Sequence, residues 1–562
     1  MECEGWCNMK MKQLFWFLGL WTIPLGLLAG WVITADVTID KPIKTIIITI
    51  VALILPIIIT SCNYRRLKLG YTDFSFKDAL GLIATDEEYT KEFIRATYPE
   101  VKKELLSDKP KDLVLGTYKG KYVSAKINKD GLNAFVVAVP GGGKSVLLIG
   151  WLMSMLYQDR IYGGNMNNAG ERFNFFVVDI KLEMMKKLIK INGKYKASGN
   201  DLIQVVQPSN RDSYGWDALY HIRGANVSET VKLKAVTDIA EALVEESGDN
   251  PYFYVNARKI MTGVFLWFID KGLDFIDIIH QITRRNLGEL LQEIVEGAEI
   301  ENNGIVLDKL KSFVGKTDNE SIQDIESTLK TSLDCFSYPD IEYMLGYNPN
   351  RTSPQALNDG VTNIDLAIED GMLSSYKTVF RLITIQILKH VESDFMENSK
   401  RRTLIAIDEA FKVGKITGLS QCMAVARSKS TSIILIMQDK SQMMDLYGEY
   451  QAESILNICQ LKLFLSGSGD IKTYIEKMVG EYRTESHSYD KGVLTKNNIK
   501  YSDNLRPIIT GHSLMELMDK QELIAIYFGK YFRIKKLRYF EDKYLKPIYD
   551  EISEYNKLHA QD

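Results

Sequence analysis

Two short clusters hold the residue types that could do chemistry: Lys144 with Ser145 after a glycine run, and Asp408 with Glu409 after an apolar run. A lysine and a hydroxyl placed directly after Pro140-Gly141-Gly142-Gly143 are the parts of a phosphate grip. Glycines let successive backbone N–H groups close around phosphate oxygens, the ammonium reaches the β- and γ-phosphates, and the hydroxyl ligates Mg²⁺. The carboxylates complete that set. Asp408 is placed to hold Mg²⁺, usually through water, and Glu409 to orient or deprotonate an attacking water. The chemistry expected of the two clusters together is hydrolysis of ATP with Mg²⁺. One departure is that Ala138 stands where such loops usually begin with glycine; it is small and lies at a strand exit.

Those residues need elements to hold them. Phe135 to Val139 is an apolar, β-branched burst that predicts a buried strand, and Val146-Leu147-Leu148 begins an apolar helix. Strand, phosphate loop and helix follow in the order that the grip requires. Leu404 to Ile407 is a second buried strand, with both carboxylates at its C-terminal end, where ligand sites of parallel α/β sheets lie. Further strand patterns start at Leu113, Phe173, Val205, Val361 and Ser432. From about Glu229 to Asn358 the pattern becomes helical, with charged faces and few strand signals. The predicted class is α/β with a mostly helical insertion.

Composition narrows the remaining choices. The chain has 562 residues, 46% hydrophobic and 25% charged, which suits a folded protein with several domains. A net charge of −3 excludes a globally basic nucleic-acid binder, so any such contact needs a local patch or a pore lining. Six scattered cysteines do not make a disulfide framework, and Cys3 and Cys7 lack the second pair of a zinc site. No metal beyond Mg²⁺ is expected. Near the start, Leu14 to Thr34 and Thr45 to Cys62 are two long apolar runs joined by a short polar connection. The first is about 30 Å long as a helix, enough to cross a bilayer. A cleaved signal peptide is the competing reading of that run, and the second run so close behind it weighs against cleavage. Lys10 and Lys12 before the pair, and Arg65, Arg66 and Lys68 after it, slightly favour both ends in the cytoplasm.

The stretch after the carboxylates carries a more specific pattern. Asp408-Glu409-Ala410-Phe411-Lys412 is followed by Gly414-Lys415, by Ala426-Arg427-Ser428, by the strand Ser432 to Met437, by Gln438, then Ser441-Gln442 and Tyr447-Gly448. This series resembles the coupling proteins of conjugative type IV secretion systems, the TraG/TraD-like family of membrane-anchored ATPases. Asp179-Ile180-Lys181-Leu182-Glu183, Asn457, Gly469-Asp470 with Thr473, Met515-Glu516-Leu517 and Tyr539-Phe540 extend the likeness over most of the chain. Ala138, Ala410, Ala426 and Asp439 depart from the family pattern without removing a charge that the chemistry requires.

The resemblance implies both an architecture and a function. Residues 1–68 would form a transmembrane hairpin, 69–228 with 359–562 a RecA-like P-loop nucleotide-binding domain, and 229–358 an all-α inserted domain. The implied function is recruitment of a DNA–relaxase substrate to a secretion channel and ATP-driven conjugative transfer of single-stranded DNA. The implied assembly is a homo-hexamer at the bacterial inner membrane, facing the cytoplasm, with channel proteins and the lipid bilayer as partners. Arg427 matches an arginine finger that acts on a neighbour's ATP, against the plainer reading of a surface arginine on a helix. Gln438 matches a sensor of γ-phosphate or water, against a satisfied strand-end amide. Lys181 and Glu183 read chiefly as structural. Two basic, aromatic-interleaved stretches, Lys186 to Lys196 and Arg533 to Arg538, suit single-stranded DNA, but a solvated charged face is the better reading of either. The alternative function is an energising ATPase of the channel or another ring-shaped DNA translocase.

Overall fold

The computed structural model describes residues 99–558 apart from 127–130, 163–172, 185–188, 192–193, 197–201, 223–226, 247–250, 316–318, 360–361, 393–401, 468, 490–498 and 510. Both apolar runs expected to cross a membrane lie outside these residues, and no described helix is long and apolar enough to span one.

The strand Ala134–Val137, which feeds the phosphate loop, sits inside a mixed sheet of 14 strands. Its neighbours are Leu461–Phe464 on one side and Thr431–Met437 on the other, both parallel to it. Beyond Thr431–Met437 come Arg402–Ile407, Phe173–Ile180, Thr362–Ile368 and Leu202–Val206, again all parallel. Parallel strands buried on both faces read as near-continuous apolar runs, broken here by a few buried polar residues such as Asn174, Asn363 and Asp365. The alternation persists beneath that: Phe135 and Val137 enter one core, and Ala134, Val136 and Ala138 enter the other.

Antiparallel strands extend the sheet past Leu461–Phe464. The hairpin Glu522–Tyr527 and Lys530–Lys535 pairs there and is joined by Leu113–Tyr118 and Lys121–Ala125. The helix after the phosphate loop, Lys144–Tyr162, lies in the core on one face with the C-terminal helix Lys546–Leu558. Trp151 Nε1 donates to the Val114 carbonyl at 2.7 Å, which ties that helix to the antiparallel edge.

Residues 229–347 supply helices and no strand among the described residues. Side chains start several of them: Ser228, Asn286 and Asn303 each accept a backbone N–H from the first turn. A short parallel pair, Gly215–Trp216 with Arg351–Thr352, brings the two ends of this stretch together. Its apolar faces, including Phe265, Phe275, Leu291 and Leu329, join the same core as Phe135 and Phe176 of the sheet. Helical stretch and sheet therefore share buried surface.

Candidate functional site

The phosphate loop is shaped by what its glycines lack. Gly141 and Gly143 have φ of 76° and 99°, a region that side chains rarely adopt. A Cβ on Gly142 would collide with Ser466 Oγ and come within 2.9 Å of the Val139 carbonyl. Gly142 N–H closes the turn onto that carbonyl at 2.8 Å, and Leu147 N–H bonds the Gly143 carbonyl at 3.0 Å to start the helix. Ser466, beyond the neighbouring strand, accepts from Val139 N–H at 3.0 Å. The loop thus has the backbone of an anion cradle, with Pro140 at its tip and Ser145 in the first helical turn.

Lys144 reaches from this loop to both carboxylates. Its Nζ lies 3.0 Å from Asp408 Oδ1 and 3.0 Å from Glu409 Oε1. Asp408 also accepts the Glu409 backbone N–H at 2.9 Å. Glu409 has φ 45° and ψ 51°, a left-handed conformation for a residue with a side chain. Such a conformation costs roughly 1–2 kcal/mol and persists only where surroundings enforce it. Lys412, one turn on, pairs with the other oxygen of Glu409. Gln438 Nε2 stands 3.5 Å from Glu409 Oε1, and Gln442 Oε1 accepts the Gln438 backbone N–H at 3.1 Å.

Burial and charge oppose each other here. Burial pushes Asp408 up to about 6 despite the pull of Lys144. Burial also works against the charge of Glu409, but hydrogen bonds from Lys412 and Lys144 outweigh it and hold that carboxyl below its usual range. Lys144 is buried too, and the two carboxylates more than offset this and raise its pKa. The site holds one ionised carboxylate, Glu409, beside a second buried one, Asp408.

Lys144, Ser145, Asp408, Glu409 and Gln438 all lie at the C-terminal edge of the parallel strands. Arg427 does not join them. Its Nε donates to the Gly131 carbonyl at 3.3 Å, and Gly131 N–H returns a bond to the Arg427 carbonyl at 2.7 Å. Gly131 precedes the strand Ala134–Val137, so Arg427 sits at the opposite edge of the sheet from its own phosphate loop. At about 3.3 Å per strand residue, that alone is more than 10 Å.

Asp179 caps a turn, accepting Glu183 N–H and Met184 N–H at 2.9 Å each. Glu183 lies near enough for its charge to oppose ionisation of Asp408. Of the first basic stretch, Ile189–Ile191 and Lys194–Lys196 form an antiparallel strand pair at the end of the large sheet, and the rest lies outside the described residues. In the second, Arg533 is buried and paired with Glu522 at 2.6 Å, while Arg538 pairs with Glu541 at 2.9 Å. Lys536 instead donates to the Gly142 carbonyl at 2.7 Å. Sequence reasoning missed Lys412, Ser466 and Lys536 as parts of the site. Lys412 alone had a local signal, three residues after Glu409 on one helical face.

The family model described as Type IV secretory system Conjugative DNA transfer matches residues 83–561. The chain belongs to that family. Among curated relatives, Protein VirD4 of Rhizobium rhizogenes is 23% identical over 193 residues, 34% of this chain and 29% of the relative. The type IV secretion system-coupling protein VirD4 of Bartonella henselae is 21% identical over 350 residues, covering 59% of this chain and 54% of that protein. The matched stretch thus spans about a third to a half of these relatives. The unbound bacterial conjugative coupling protein TrwBdeltaN70 superposes with TM-score 0.57 at 14% identity, over 77% of this chain and 90% of that one. TrwB in complex with ADP and Mg²⁺ gives 0.56 at 16%, over 78% and 91%. The mixed α/β fold is shared with these coupling proteins.

Proposed function

We propose that this chain is a membrane-anchored coupling ATPase, which recruits a DNA–relaxase substrate to a type IV secretion channel and drives conjugative DNA transfer. The observation that carries this reading is the placing of Lys144 Nζ at 3.0 Å from both Asp408 and Glu409, at the mouth of a glycine phosphate loop. Family membership supplies the context, and the TrwB complex with ADP and Mg²⁺ supports the ligand pair. Residues 1–68 would be the anchor, with the catalytic body and both ends cytoplasmic. The boundaries of a helical insertion at 229–358, within a nucleotide-binding domain of 69–228 and 359–562, are part of the same proposal.

The residues divide the work. Backbone N–H groups of Gly141 to Ser145 and the Lys144 ammonium hold the phosphates. Ser145 and Asp408 would hold Mg²⁺, which supplies charge neutralisation at the phosphate oxygens. Lys144 must exchange its carboxylate partners for phosphate oxygens as the nucleotide enters. Glu409 then takes a proton from the water that attacks the γ-phosphorus, while the bond to the β-bridging oxygen breaks to give ADP and phosphate. Gln438, already beside Glu409, orients that water. Arg427 lies at the wrong edge to serve its own loop, which supports its acting on a neighbouring subunit in a homo-hexamer.

Lys144→Ala and Glu409→Gln should each abolish ATP turnover. The Gln change should leave ATP binding within about threefold of the parent, because it removes a base and not a phosphate contact. Parental turnover by purified Glu409→Gln protein would refute the role given to that carboxylate.

A further inference from the structure

Lys536 follows directly on the strand Lys530–Lys535, almost four hundred residues after the phosphate loop in sequence. Its Nζ bonds the Gly142 carbonyl at 2.7 Å and would lie 3.8 Å from a Cβ on Gly143, were there one. No side chain separates this ammonium from the bare glycines of the loop. Its backbone is fixed as well, since Lys536 N–H donates to the Gln521 carbonyl at 2.8 Å.

The charge is poorly compensated. Two fully buried cations of this fold have carboxylates: Arg533 has Glu522 and Arg381 has Glu245. Lys536 has one neutral carbonyl and no carboxylate within ion-pair distance among the described residues. Burial pushes its ammonium down to about 8, with no charged neighbour working the other way. Lys462 is also pushed down by burial, but it bonds the Cys459 carbonyl and does not touch the phosphate loop. A mere spacer behind the loop would be less costly as an uncharged side chain. An ammonium kept half-buried there gains most when an anion enters the cradle in front of it.

We infer that Lys536 is a second cationic ligand for the phosphates of a bound nucleoside di- or triphosphate, supplied by the C-terminal hairpin. The inference rests on the nucleotide reading of the site given above. It also makes the hairpin part of the grip, because its distance from the loop sets how strongly nucleotide is held.

Lys536→Met and Lys536→Arg in the full chain test this, with ADP and ATP affinities measured by displacement of a fluorescent ADP analogue, alongside thermal melting. Loss of a charged contact to phosphate should weaken both nucleotides about tenfold or more in the Met variant. The Arg variant should stay within about threefold of the parent, and both should melt near it. Unchanged affinity in the Met variant overturns the inference. Equal losses in Met and Arg variants, with lowered melting, overturn it too and leave Lys536 a structural prop. A parent that binds neither nucleotide would instead overturn the reading of the site itself.

Discussion

Glu409 is held by more contacts than a general base needs. Lys144 and Lys412 grip its two oxygens from opposite sides, and Gln438 stands beside the first. In the proposed mechanism only Lys412 keeps its place when a nucleotide arrives, because Lys144 turns to the phosphate oxygens. On that reading Lys412 would be the group that keeps the carboxylate ionised and aimed. Lys412→Met should lower turnover about 10–100-fold while ATP affinity changes little, since no phosphate contact is removed. Steady-state kinetics would show this as a fall in kcat at nearly constant KM. A rise in KM with normal kcat would place Lys412 on the substrate instead.

At the scale of elements, the histidines His221 and His390 mark where the helix Leu373–Glu392 meets the loop after Gly215–Trp216. Their rings lie 5.9 Å apart, and His390 Nε2 is 3.2 Å from Asn358 Oδ1. Burial, with Lys234 nearby, pushes His221 down to about 4. Burial, with His221 nearby, does the same to His390. Each folded value lies below the ordinary one of 6.5, so the stability these neutral rings contribute is complete above pH 6.5. It is lost as pH falls towards 4, by up to about 3 kcal/mol per group. Asp238, pushed up to about 6 by burial, works in the opposite sense over part of that window. His390→Gln isolates the histidine contribution. Its urea midpoint should fall less steeply than the parent's between pH 6.5 and 4, and parallel curves would rule the coupling out.

The same scale explains what could be read beforehand. The strands around Phe135, Phe175, Leu404 and Ile434 were legible because burial on both faces leaves few polar interruptions. The phosphate loop and the Asp408-Glu409 step were legible because their chemistry fixes short spacings. The C-terminal hairpin was not, since an antiparallel ribbon carries no local record of which edge it will join. Arg533 and Lys536 therefore read as members of one basic-aromatic run, although one is buried against Glu522 and the other backs the phosphate loop. The helical stretch announced its helices through periodicity and charged faces, but not that their apolar faces would share a core with the sheet.

For the whole molecule, the two edges of the parallel strands have different duties. The C-terminal edge carries Lys144, Asp408, Glu409 and Gln438, and the other edge carries Arg427. Under the proposed function, each body would make half a site at each edge and would need copies to complete one. Arg427→Ala should keep ATP binding and lose most hydrolysis. Mixing it with Lys144→Ala protein should restore part of the activity, because the second mutant can lend its arginine to the first one's intact loop. Mixed assemblies with intact binding and no recovered turnover would return Arg427 to the role of a surface residue. Removal of residues 1–62 should yield a soluble body, read as release from the membrane fraction after high-salt washing.

The placing of the strand Ala134–Val137 has a consequence for the birth of the protein. Both of its partners, Thr431–Met437 and Leu461–Phe464, come from the far end of the chain, roughly three hundred residues later. At about 5–20 residues per second, a ribosome needs on the order of tens of seconds to deliver them. Through that interval Phe135 to Val139 has no permanent neighbours, and its apolar edge is open to any passing strand. A nascent chain halted near residue 430 should therefore bind holdase chaperones, and one released past residue 540 should shed them.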